Sequence, residues 1–135
     1  MDDAEYEGLK GRVLALCEYW QKRLGLKWWD IDQTFVRDAS EFSTDGAPTP
    51  ETAANCFAEW RYLRARVSFN MHKIYTHELP DEKLEEVVVH EFCHVLVNEM
   101  RGADFDIAHE ERVCTTLSKA FIWTRDMARD DDENR

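Results

Sequence analysis

The chain has 135 residues, 44% hydrophobic and 12% aromatic, with five Trp and seven Phe. That is enough apolar surface for one compact α+β domain to fold without disulfides or a structural metal. A formal net charge of -11, from 17 Lys and Arg against 28 Asp and Glu, repels nucleic-acid phosphates and anionic membranes, so neither is expected as a partner.

No segment approaches the roughly 20 apolar residues of a membrane helix. The opening Met1-Asp2-Asp3-Ala4-Glu5 lacks the basic and apolar regions of a signal peptide, so a cytoplasmic location is expected. Cys17, Cys56, Cys93 and Cys114 are widely separated with no CxxC pair, which suits buried, reduced thiols better than a disulfide framework.

Along residues 3–24, Leu9, Val13, Leu16, Cys17, Trp20 and Leu24 recur at three- and four-residue steps and predict an amphipathic helix capped by Gly25. Residues 28–37, with Trp29, Ile31, Phe35 and Val36, predict a first strand. Asp45-Gly46 and Pro48-Thr49-Pro50 mark a loop over 43–52. Val67, Phe69 and Met71 alternate, so one or two further strands are expected over 56–71, with a helix over 50–66 as the competing reading. Pro80-Asp81-Glu82 opens a helix to Met100 carrying Leu84, Val87, Val88, Phe92, Val95 and Leu96. A turn over 101–106 and a last helix over about 108–127 follow. The acidic end, 130–135, is expected to be a solvated tail to a single domain over 1–129.

Inside the second long helix stands His90-Glu91-Phe92-Cys93-His94. With about 100° per residue, His90 and His94 share a face one turn apart and can both direct an imidazole nitrogen at one ion. Glu91 lies about a quarter-turn away, positioned as a general base for water activated by zinc. The flanking Val87-Val88-Val89 and Val95-Leu96-Val97 put these polar groups in an apolar helix, where a shared metal would satisfy them.

A catalytic zinc needs a third protein ligand and an open fourth position. Met100 stands where the extended metzincin pattern requires His, which leaves His109-Glu110-Glu111. Taking Glu110 as zero, Cys114, Leu117 and Phe121 fall within about 40°, while Glu111 and His109 lie about 100° to either side. Glu110 is therefore the favoured third ligand, with Glu111 and His109 as alternatives.

With His90, Glu91, His94 and the Glu110-Glu111 region in place, the chain resembles the gluzincin zinc metallopeptidases, in particular the small single-domain minigluzincin and SprT-like proteins. The resemblance implies a zincin-like order of parts: an N-terminal helix, a small, mostly antiparallel three-stranded sheet, an HExxH helix and a C-terminal ligand helix. It implies one zinc ion per chain, a peptide or protein substrate, and peptide pairing along the strand at 66–71. Two departures stand out: Cys114 and Thr115 occupy positions where gluzincins often carry an acidic residue, and the basic or zinc-binding modules of DNA-linked relatives are missing from this sequence.

The expected function is a zinc metallopeptidase with Glu91 catalytic and His90, His94 and Glu110 as metal ligands. The alternatives are a non-catalytic or latent regulatory module on the same fold and a metal-free binding protein. Nothing assigns an oxyanion-stabilising residue; Tyr75, His77 and His109 are merely near in sequence.

Overall fold

A computed structural model describes residues 1–38, 52–101 and 107–133. Helix α1 spans Asp3–Arg23. It starts at a capping box, in which the Asp2 side chain accepts from Glu5 N at 2.7 Å and Asp2 N donates back to Glu5 at 3.1 Å. Leu9, Val13, Cys17 and Trp20 are its buried stripe, as their spacing predicts. Gly25 follows with a φ of 72°, the left-handed geometry that lets the chain leave the helix.

Three strands form one sheet in the order β1-β3-β2: β1 is Asp30–Val36, β2 Ala54–Glu59 and β3 Arg64–Asn70. The α+β class is as expected, but the sheet is mixed, because β1 runs parallel to β3 and only β2 is antiparallel to it. Alternation reports which face is buried and is silent on strand direction. Direction follows from the connections: β2 and β3 are joined by the 3-10 turn Trp60–Tyr62, whereas the longer stretch between β1 and β2 permits either sense.

The competing helix over 50–66 does not form across 54–59, where the backbone pairs with β3 instead. Nor is 66–71 an edge. Arg64–Asn70 is the central strand, paired on both sides, so it has no free edge for a substrate; among the described residues β2 and β1 are the edges. On its inner face Ala65, Val67 and Phe69 are buried. On its outer face the register sets Arg64 beside Asp30 and Arg66 beside Asp32.

A short helix not foreseen from the sequence, α2 at Met71–Thr76, takes over where β3 ends. Its start is explained by Asn70, whose side chain accepts from Lys73 N at 3.1 Å. Helix α3, Asp81–Arg101, begins with the Pro80 carbonyl accepting from Leu84 N at 3.0 Å and with Asp81 and Glu82 in its first turn, where acidic groups suit the helix dipole. It packs against β2, α1 and the last helix, α4, at Ile107–Glu133. Because α4 continues to Glu133, residues 130–133 belong to the helix rather than to a frayed tail. The expected loop and the expected turn fall mostly on 39–51 and 102–106, outside the described residues.

One polar junction ties α1, α3 and α4 together. Glu85 accepts from Arg125 at 2.5 and 3.0 Å and from Trp20 Nε1 at 3.0 Å. Among the described residues no helix is long and apolar enough to cross a membrane. All four cysteines are free; Cys17, Cys93 and Cys114 are buried and Cys56 partly so.

Candidate metal centre

The site rests on the division of α3 into two faces. Leu84, Val88, Val89, Phe92, Cys93 and Val95 are buried in the core, with Glu91 buried among them, and His90 and His94 meet α4. The two imidazoles stand with ring centroids 5.0 Å apart and with their Nε2 atoms facing each other at 3.3 Å. Two ring nitrogens that converge in this way cannot both carry a proton without repulsion, so the arrangement asks for a cation or a shared hydrogen between them.

From α4, Glu111 completes the convergence. One carboxylate oxygen lies 2.8 Å from His94 Nε2 and the other 3.1 Å from His90 Nε2. Donor atoms at about 2.1 Å from a tetrahedral ion are separated by about 3.4 Å, so these spacings are close to what a metal needs. Among the described residues, His90, His94 and Glu111 form the one group of three such side chains whose ligand atoms lie within 4.8 Å of one another. Two neutral imidazoles and a carboxylate are a donor set suited to a divalent transition metal.

Glu110 occupies a different place from the one the helical-face argument gave it. Its Oε2 lies 3.4 Å from Nδ1 of His94, on the other side of that ring from Glu111. The side-chain exposures explain why: 11% for Glu110 and 49% for Glu111. Glu110 does lie on the packed face of α4, as expected, but an open site is built at the margin of a helix pair rather than in its middle. The donor on the flank therefore reaches the two Nε2 atoms. His109 is exposed and stands outside the cluster.

The outer ring nitrogens also have partners. Beside Glu110 on His94, Thr115 Oγ1 lies 3.5 Å from Nδ1 of His90. A proton on each Nδ1 leaves both Nε2 lone pairs free for an ion. Thr115 was not foreseen in this role, although its position, one helical turn after Glu111, was a sufficient signal.

Glu91 is the anomaly of the site. It is buried, and its Oε2 has no hydrogen-bond partner among the described residues, although such orphaned groups are rare and costly. Burial, with a smaller contribution from the Glu111 charge, pushes its carboxyl up to about 8. Burial also lowers the basicity of His90, against the opposing pull of Glu111. The thiols of Cys17, Cys56, Cys93 and Cys114 are all raised by burial, which favours their protonated form.

A cleft of about 600 Å³ opens beside these groups, reaching His90, Glu91 and Glu111 and bounded by Ala54 of β2 and Ser118 of α4. His77 lines it as well. Tyr75 does not; its hydroxyl donates to Glu5 on α1.

No protein-family model, curated protein or solved structure matches this chain.

The functional reading accordingly rests on the site itself. His90, Glu91 and His94 from one helix and Glu110 and Glu111 from the next are brought together, with Glu111 at the two Nε2 atoms and Glu110 behind His94.

Proposed function

We propose that this chain is a zinc-dependent peptidase of gluzincin type, with His90, His94 and Glu111 holding the metal and Glu91 as general base and acid. The observation that carries the reading is the pairing of two features: three ligand atoms that converge within 4.8 Å, and a buried carboxylate beside them with an unpartnered oxygen. A structural site has no use for such a base and favours four protein ligands; a catalytic site keeps a position open. The resemblance to minigluzincin and SprT-like proteins points the same way.

When bound, zinc supplies Lewis acidity, which lowers the pKa of water from about 15.7 towards about 7 and polarises a carbonyl. Glu91 takes a proton from the attacking water, whose oxygen bonds to the carbonyl carbon. As the carbon–nitrogen bond breaks, the same carboxyl delivers that proton to the departing amine nitrogen. Its raised pKa suits a group that must both accept and donate near neutrality. Glu110 and Thr115 hold the imidazoles in register. An extended peptide can enter beside β2, the outer strand of the described sheet, whose first residue lines the cleft.

The test is zinc content together with cleavage of a broad peptide mixture. Wild type is expected to hold one zinc per chain and to cleave, with Glu91→Gln retaining zinc and losing cleavage. Zinc without cleavage of any peptide favours the latent regulatory module, and failure to bind zinc overturns the reading.

A further inference from the structure

The chain carries only six lysines, Lys10, Lys22, Lys27, Lys73, Lys83 and Lys119, within an excess of acidic residues that leaves it at -11. Lys73, Lys83 and Lys119 all line the cleft beside the candidate metal centre. They come from three different helices, α2, α3 and α4, so their meeting is a product of the fold and not of a local run of charge. Lys83 is engaged by Glu86 at 3.3 Å. Among the described residues, Lys73 and Lys119 have no carboxylate within ion-pair distance. The carboxylates of the same lining are Glu86, which is bonded to Lys83, and Glu91 and Glu111 at the candidate metal centre, so Lys73 and Lys119 are the cleft's charges left to meet an anion, and a concave surface strengthens the field of the charges that line it.

The place of Lys119 along the α3–α4 pair sets what the anion must belong to, with Lys73 lining the same cleft. Helices α3 and α4 run antiparallel: His90 meets Glu111, and five residues earlier on α3 Glu85 meets Arg125, fourteen residues later on α4. Lys83 lies seven residues before His90 and Lys119 eight residues after Glu111, so both are displaced the same way along the helix pair, by about 10 to 12 Å at 1.5 Å per residue. An extended peptide covers that distance in about three residues. Resting on the peptidase reading, we infer that the cleft selects a substrate with a carboxylate about three residues from the bond it cuts, held by Lys73 and Lys119. That carboxylate is either an acidic side chain or the chain terminus.

Binding and cleavage are measured separately, so that the two readings fail separately. Short peptides with a single Glu, or Gln in its place, walked along a neutral sequence, and each made with a free or an amidated C-terminus, are titrated against zinc-loaded Glu91→Gln by fluorescence anisotropy. The same peptides are incubated with the zinc-loaded wild type and analysed by mass spectrometry. The expected result is a preference of about tenfold for the carboxylate-bearing member at one position. It should fall close to one in Lys73→Gln/Lys119→Gln and shrink with added salt, while Lys22→Gln, outside the cleft, keeps it. Glu-walk selectivity assigns an acidic side chain; selectivity for the free C-terminus assigns the chain end.

Equal binding of the paired peptides, no binding of either, or a preference that survives the double substitution overturns the anion site. Cleavage without charge preference removes this inference and leaves the peptidase standing. A lysine-dependent preference in binding with no cleavage removes the peptidase and leaves the anion site.

Discussion

The carboxylate of Glu111 comes within 2.8 Å of His94 Nε2, whereas that of its neighbour Glu110 lies 3.4 Å from Nδ1 of the same ring. Two consecutive glutamates thus hold the two ends of one imidazole, and their roles separate on that geometry. Glu111→Ala, His90→Ala and His94→Ala are each expected to abolish stoichiometric zinc, read by elemental analysis after dialysis. Retention of full zinc by Glu111→Ala would return the third-ligand role to Glu110.

Glu110→Ala has a milder expected outcome. Removing the acceptor behind His94 should weaken zinc by about 10- to 100-fold without eliminating it, measured by competition with a chromophoric chelator. Glu110→Gln, which keeps an acceptor oxygen at that place, should recover most of the loss. Loss of zinc as complete as in the ligand variants is the result that this division of roles forbids.

Glu91→Gln is isosteric and removes the proton-carrying group. Turnover of any peptide substrate is expected to fall by about 10² to 10⁴, with zinc content and the thermal midpoint preserved. Because Glu91 Oε2 has no partner among the described residues, the substitution breaks no hydrogen bond to them at that oxygen. A large drop in stability would mean that Glu91 is structural.

The Glu85–Arg125 pair contributes an acid-side pH dependence to the fold. Hydrogen bonds from Arg125, then from Trp20, hold the Glu85 carboxyl below its ordinary value of 4.5. A depressed folded-state pKa adds stability that is fully present above the unfolded value and is lost as pH falls through the folded one. Urea unfolding should therefore show stability declining below about pH 4.5, with a shallower decline in Arg125→Met. At neutral pH that variant should lose about 2 kcal/mol, less than a fully buried broken pair because Glu85 keeps its bond to Trp20. An unchanged acid profile would sink the assignment.

Much of this protein was legible in the sequence because helical periodicity is local. The spacing of Leu9, Val13, Cys17 and Trp20 marks α1, and that of Leu84, Val88, Phe92 and Val95 marks α3, and these eight are buried; of the others in the two patterns, Leu16, Leu24 and Val87 are partly buried and Leu96 is exposed. The same arithmetic put His90 and His94 on one face. Asn70, by contrast, stops β3 and starts α2 through one side-chain bond to Lys73, and alternation through Met71 masked it.

What the sequence by itself determined is the donor chemistry: two histidines one turn apart, a glutamate between them, and a pair of glutamates on the next helix. Only the tertiary structure decided where those glutamates sit around the His94 ring, that β3 is the centre of a mixed sheet, and that Lys73, Lys83 and Lys119 line one cleft. The physical reason is common to all three. A periodic pattern records which side of an element avoids water, but strand direction, interhelix placement and the margin of a packed face depend on contacts between elements far apart in the chain.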